Sequence, residues 1–311
     1  MRNCLVTGGA GFIGSHLAAT LAARGDRVRV ADNLSTGYRH NLEAIGGGVE
    51  FLEGDLAESA FAARAVEGID LVFHQAAIPS VPRSVKDPAG SHRANIDASL
   101  NVLIAARDAG VRRVVYAGSS SAYGDTPVLP KREDMPPNPR SPYALQKLVA
   151  EQYASLFTQL YGLETVTIRY FNVFGPRQDP SSAYSGVISQ FAKALTEGHS
   201  PTIYGDGGQT RDFTYIDNVV DGVLRAGDAP EASGEVINVA TGGRISLLEL
   251  FEQMKRITGA DVAPVFVDAR AGDVRDSQAD IAKAKRLLGY EPVVSFEDGL
   301  ARTIDWYRQT R

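Results

Sequence analysis

Near the start of the chain, Gly8-Gly9-Ala10-Gly11-Phe12-Ile13-Gly14 joins an apolar run, Cys4-Leu5-Val6-Thr7, to a helical pattern from Ser15 to Arg24 that Gly25 ends. A second apolar run, Arg27 to Asp32, follows. The reading is strand, glycine loop, helix, strand. Gly8, Gly11 and Gly14 recur every third position. This spacing is a variant of the dinucleotide-binding loop, in which glycines make a tight turn, admit a pyrophosphate to the backbone and let the helix pack closely on the strand. The anion then sits at the N-terminus of the Ser15 helix. Asp32 closes the second strand about twenty residues on, where a carboxylate bonds ribose hydroxyls and repels a 2′-phosphate.

The alternation continues. Val49–Glu53, Asp70–Gln75, Val111–Gly118 and Glu164–Tyr170 read as strands, with a helical pattern over Ser91–Ala109. Strands alternating with helices predict an α/β fold with a doubly wound parallel Rossmann sheet. Ligands in such sheets lie beyond the carboxyl ends of the strands. Asp55, Ala76-Ala77 and Ser119-Ser120-Ser121 all fall there. Asp55 can bond an adenine amino group, cap the next helix, or do both. Ala76 and Ala77 suit a wall for a flat ring. Asn95 reads equally as a buried tie or a cofactor contact.

Ser141-Pro142-Tyr143-Ala144-Leu145-Gln146-Lys147 opens another helix. Ser141 can cap it, Pro142 suits its first position, and Tyr143 and Lys147 share a face at i and i+4. A nearby cation favours a phenolate, so this pair can make a general base near neutral pH.

After residue 171 the alternation loosens. Residues 1–171 are expected to form the dinucleotide-binding domain, with segments near 212–240 returning to it, and 172–311 a smaller mixed α/β lobe for substrate. Ser246-Leu247-Leu248-Glu249 is a capping box, and Gly289 stops a helix from Ile281. The formal net charge is −5 with scattered basic residues, which argues against a nucleic-acid partner. Cys4 is the sole cysteine, so no intrachain disulfide or thiolate cluster is available. His16, His40, His74, His92 and His199 show no metal-ligand spacing, and no metal site is expected. No apolar stretch suits a signal peptide or membrane span, so cytoplasmic placement is the simplest expectation.

Taken together, Thr7–Gly14, Ser119-Ser120-Ser121, Tyr143-x-x-x-Lys147, Arg169-Tyr170-Phe171-Asn172, Arg211-Asp212-Phe213 and Arg270-Ala271-Gly272-Asp273 resemble the extended short-chain dehydrogenase/reductase family of nucleotide-sugar enzymes along essentially the whole chain. Within that group the chain looks most like UDP-hexose 4-epimerases. Ser80-Val81-Pro82-Arg83-Ser84 and Ser277-Gln278-Ala279-Asp280 are most similar to the bacterial branch acting on UDP-N-acetylhexosamines.

The resemblance implies NAD as cofactor, held by Gly8, Gly11, Phe12, Ile13, Gly14, Asp32, Asn33, Asp55, Leu56, Ala76, Ala77, Asn95, Tyr143, Lys147 and Tyr170. It implies Tyr143 as the catalytic base and acid, with Lys147 lowering its pKa and bonding the nicotinamide ribose. A serine bonds the sugar 4-oxygen. Counting back from Tyr123 favours Ser119, while Ser120 and Ser121 can also touch substrate. Ser80, Asn172, Arg211, Arg270, Asp273 and Ser277 complete the implied substrate set, with Asp273 bonding ribose or orienting an arginine.

The implied reaction is C4 epimerisation of UDP-hexoses through a 4-keto intermediate, on UDP-GlcNAc/UDP-GalNAc and also UDP-Glc/UDP-Gal, since small Ser277 leaves room for an N-acetyl group. A uronate 4-epimerase, a decarboxylase or a dehydratase is the alternative. The last is disfavoured because no Asp-Glu pair follows the serine run. A non-catalytic dinucleotide sensor would not need the intact Tyr143/Lys147 pair. The family also implies a homodimer through the helices near 91–109 and 142–161, with Leu100, Leu103, Leu148, Tyr153 and Phe157 as candidate apolar surface.

Overall fold

The apolar runs pair side by side. In the computed structural model, which describes residues 1–46, 48–180, 186–269 and 274–310, they form β1 (Asn3–Thr7), β2 (Arg27–Asp32), β3 (Val49–Glu53), β4 (Leu71–His74), β5 (Arg113–Ser119) and β6 (Glu164–Tyr170). A strand from much later, Val236–Val239, adds beside β6. The order across the sheet is Val236–Val239, β6, β5, β4, β1, β2, β3, with every neighbouring pair parallel. The chain winds outward in one direction through β2 and β3 and in the other through β4, β5 and β6. The reversal at β1 and β4 opens a crevice at their carboxyl ends.

Parallel strands need crossover connections, and the crossover helices bury both faces of the sheet. Side-chain alternation divides the strands between two cores. In β1, Leu5 faces one core while Cys4 and Val6 face the other; in β4, Val72 opposes Leu71 and Phe73. One core takes Leu17 and Leu21 of α1 (Phe12–Ala23) with Val219 and Val223 of the helix Ile216–Asp228. The other takes Val102 and Leu103 of Ala98–Asp108 with Ala154 and Phe157 of Pro142–Tyr161.

Two helices depart from their expected bounds. α1 starts at Phe12 rather than Ser15, with Gly11 as its N-cap, so Gly14 lies inside the first turn. The expected helix over 91–109 is broken by a π-helical turn at Arg93–Asp97, between Pro88–His92 and Ala98–Asp108. Single π turns re-aim side chains, and this one carries Asn95, whose amide is tied to neighbouring elements.

Outside the sheet lie the helices Val187–Thr196, Leu247–Thr258 and Phe296–Gln309, with short strand pairs between them. Ser246 and Glu249 form the expected capping box. Among the described residues no helix is long and apolar enough to cross a membrane.

A buried ion pair fastens the Pro142–Tyr161 helix to β6. Arg169 donates to both carboxylate oxygens of Glu151, at 2.9 and 2.6 Å, and its guanidinium lies 4.5 Å from the Tyr123 ring centre. Removing one partner of such a pair strands the other charge in the interior. Arg169→Met is therefore expected to cost about 3–5 kcal/mol. Arg169→Met with Glu151→Leu should recover more than half of that loss, as read from urea denaturation midpoints at constant m-value.

Candidate functional site

The site is assembled from strand ends. Gly8 follows β1 at φ 64°, and a side chain there would meet the Ala76 backbone at 2.7 Å. A methyl group on Gly14 would lie 2.2 Å from the Gly8 carbonyl oxygen. Both close approaches are available only to glycine. Asp32 ends β2 beside this loop, its carboxylate accepting from the Ala10 and Leu34 amides at 3.0 and 2.8 Å. Burial raises its pKa, and those backbone bonds oppose the rise.

The ends of β1 and β4 are locked by a neutral histidine. His74 bonds Thr7 Oγ1 at 2.7 Å and Ser99 Oγ at 2.9 Å, and burial holds its pKa at about 3. Thr7 Oγ1 in turn accepts from the Ala76 amide at 3.1 Å, which fixes the wall beyond β4. Asn95 stands behind that wall, 1% exposed. Its carbonyl accepts from the Ile78 amide at 2.8 Å, and its amide donates to Gln146 at 2.9 Å. Asn95 itself does not line the cavity, and its polar atoms are engaged between backbone and helix.

Beyond β5, Ser119 caps a short 3-10 turn, Ser120–Tyr123, accepting from the Ser121 amide at 3.2 Å. Its hydroxyl lies 2.8 Å from that of Ser121. The next helix forms as its sequence dictates: Ser141 Oγ accepts from the Ala144 amide, Pro142 takes the first position, and Gly162 ends the helix at φ 71°. Tyr143 is held at the helix start by its own amide, which donates to Ser84 Oγ at 3.0 Å. Burial raises the Tyr143 pKa, opposed by a hydrogen bond with Ser119. Lys147, 4% exposed, donates to the Ala117 carbonyl at 2.8 Å, and burial lowers its pKa to about 7. The ammonium is turned to a backbone carbonyl, one turn of helix from Tyr143.

One cavity of about 950 Å³ runs past these strand ends. Gly8, Gly11, Phe12, Ile13, Gly14, Asp32, Asn33, Asp55, Leu56, Ala76, Ala77, Tyr170 and Lys147 line one part. Ser119, Ser120, Ser121 and Tyr143 stand with them, and Ser80, Asn172, Arg211 and Ser277 line the remainder. Asp55 uses one oxygen to accept from the Ala57 amide and the other to pair with Arg93. Arg270 and Asp273 lie outside the described residues. The cavity also takes Gln75, Arg83, Lys131 and Arg140, which the implied site set does not include. Gln75 accepts from the Tyr170 hydroxyl at 2.7 Å, yet its own buried amide nitrogen has no partner among the described residues. Lys131 is buried in a turn-rich segment, with burial lowering its pKa. Its place is set by pairing with Gln278 and Asp280, which no local pattern announces.

Residues 4–240 match the NAD dependent epimerase/dehydratase family. The chain belongs to that family. A UDP-glucose 4-epimerase of Mycolicibacterium smegmatis is 41% identical over 98% of both chains. Among solved structures, a UDP-N-acetylglucosamine 4-epimerase from Methanobrevibacter ruminantium, in complex with UDP-N-acetylmuramic acid, superposes with a TM-score of 0.95 at 38% identity, covering 100% of this chain and 99% of that one. A UDP-glucose 4-epimerase from Thermotoga maritima with UDP-glucose gives 0.95 at 40% identity, covering 99% of each. The family's cofactor is NAD, and the cavity of this epimerase/dehydratase family member fits it. The glycine cradle would be filled by any Cβ, Asp32 lies at its edge, and the orphan Gln75 amide stands on its wall.

A lysine whose folded pKa falls from 10.5 to about 7 binds fewer protons folded than unfolded between those values. Its contribution to stability is present above the unfolded pKa and is lost as pH falls through about 7. Lys147→Met should accordingly gain on the parent protein at pH 6 and lose that advantage by pH 10, measured as the difference in urea midpoints.

Proposed function

We propose that this chain is a UDP-hexose 4-epimerase that takes UDP-GlcNAc/UDP-GalNAc and also UDP-Glc/UDP-Gal. The observation that carries the reading is the position of Tyr143 and Ser119. Both line the same cavity as the glycine cradle and the Asn172, Arg211 and Ser277 wall. A sugar held there has its reacting carbon between base and cofactor.

NAD is held by the glycine loop, Asp32 and the Ala76-Ala77 wall; when bound, NAD+ supplies a reversible two-electron acceptor, so a C4 alcohol can become a ketone and return. Tyr143, as phenolate, takes the proton from the sugar 4-hydroxyl, and Ser119 holds the 4-oxygen in line. Lys147 would bond the nicotinamide ribose and, when protonated, favour the Tyr143 phenolate. Asn172 and Arg211, with Arg270 and Asp273, anchor the UDP portion, arginine forks suiting a diphosphate. The 4-keto sugar can then turn about its link to UDP and offer its other face. Tyr143 returns the proton, C4 is inverted, and the net reaction is redox-neutral. Residues 1–171 with the returning 212–240 segment form the cofactor lobe in this reading, and 172–311 the nucleotide-sugar lobe. The placement of Val236–Val239 beside β6 supports the return.

Ser277 is a small, buried residue on the cavity wall, which leaves volume for an N-acetyl group. The purified protein is to be incubated separately with UDP-GlcNAc, UDP-Glc and UDP-glucuronate, with and without added NAD+, and the C4 epimers sought by NMR. UDP-GalNAc and UDP-Gal are expected; turnover of UDP-glucuronate alone would replace this reading with a uronate enzyme. Tyr143→Phe should lower kcat by at least about a hundredfold, the lower range for loss of a general acid-base group. Ser277→Tyr should abolish turnover of the acetylated sugar while sparing UDP-Glc.

A homodimer through the helices near 91–109 and 142–161 belongs to the same proposal, with a changed residue set. Leu103, Leu148 and Phe157 are consumed by the monomer core. Leu145, Leu156, Leu160 and Tyr161 remain exposed, and the first three recur at intervals of whole helical turns. Leu156→Arg with Leu160→Arg should shift the protein from dimer to monomer in sedimentation equilibrium; an unchanged mass would move the interface elsewhere.

A further inference from the structure

The loop after β2 reaches across the cofactor cradle and meets the loop that follows Phe174. Gly37 packs so closely on the glycine loop that a Cβ there would lie 2.8 Å from the Ala10 backbone. The Tyr38 amide donates to the Ala10 carbonyl at 2.9 Å, and the Asn41 side chain donates to the same oxygen at 2.9 Å. The phenol of Tyr38 then donates to Asp179 Oδ2 at 2.5 Å. The residues leading to Asp179 are tied at three points. The carbonyl of Pro176 is bonded by His16 Nε2 of α1 at 3.0 Å, Gln178 donates to the Val173 carbonyl at 3.1 Å, and Tyr307 donates to the Gln178 carbonyl. Both Tyr38 and Asp179 line the cavity, together with Gly11, Asp32, Ser35 and Thr36.

We propose that the Tyr38–Asp179 hydrogen bond is a clasp that retains the dinucleotide, joining the ribose-side loop to the loop beyond β6 across the mouth of the cradle. The inference rests on the cradle as an NAD site and is independent of which sugar is turned over. A dinucleotide with its pyrophosphate on the glycine loop and its ribose at Asp32 is bracketed by the first loop, and the second loop closes on that bracket. Release then requires the clasp to part, so the bond governs the rate of exchange.

The test loads the full-length protein with radiolabelled NAD+, chases with excess unlabelled NAD+, and follows label retained on a filter, with no sugar present. Loss of a hydrogen bond to a charged acceptor should speed exchange roughly tenfold in Tyr38→Phe. Asp179→Ala, which approaches the bond from the other loop, should give a similar increase, and the double variant little more than either. Asp179→Asn keeps an acceptor for the phenol and should restore slow exchange. Exchange at the parent rate in Tyr38→Phe, or additive effects in the double variant, would overturn the clasp. Neither result would bear on the epimerase reading, which is tested by product.

Discussion

The contact on which the rest of the molecule depends is between two pieces of backbone. The Gly14 Cα sits against the Gly8 carbonyl, and Gly8 sits against Ala76, with no room for a side chain at either place. Because α1 can come that close, its N-terminus opens directly over the ends of β1 and β4. Everything that lines the cavity is placed relative to that opening. Asp32 reaches it because β2 pairs with β1 residue by residue, and the wall at Ala76 because β4 pairs on the other side. Van der Waals exclusion, rather than any strong attraction, defines the geometry of the cradle.

A second layer of order is polar and hidden. His74 is kept neutral between two hydroxyls, Asn95 is spent on backbone and Gln146, and Arg169 is spent on Glu151. Such groups are costly to bury unless each finds its partner. In this molecule the partners come from different elements, so satisfying them also sets where the helix bearing Tyr143 and Lys147 lies against the sheet. The low dielectric that penalises charge there also accounts for a tyrosine pushed up and a lysine pushed down within one turn of helix.

Much of this was legible in the chain because the signals are local. Glycine spacing, the Ser141-Pro142 helix start, the Ser246 capping box and strand-helix alternation each depend on a few neighbouring residues, and each is found where the sequence puts it, within a residue or a turn. The places that were not legible are those decided by distant partners. The π turn at Arg93–Asp97 answers to Ile78 and Gln146, and Lys131 is buried by Gln278 and Asp280. Periodicity marks Leu103, Leu148 and Phe157 as apolar faces, but whether such a face meets the molecule's own core or another surface depends on what packs against it. The reach of Tyr38 to Asp179 spans 141 positions of the chain and has no sequence signature.

The strand Val236–Val239 carries a consequence for how the chain is made. Among the described residues it pairs with β6 alone, at the edge of the sheet. When β6 leaves the ribosome its outer edge is open, and it stays open while the whole intervening stretch is synthesised. An unpaired edge beside an apolar strand invites wrong pairing. The residues that complete the sheet arrive only after many that lie outside it, so the sheet is sealed late.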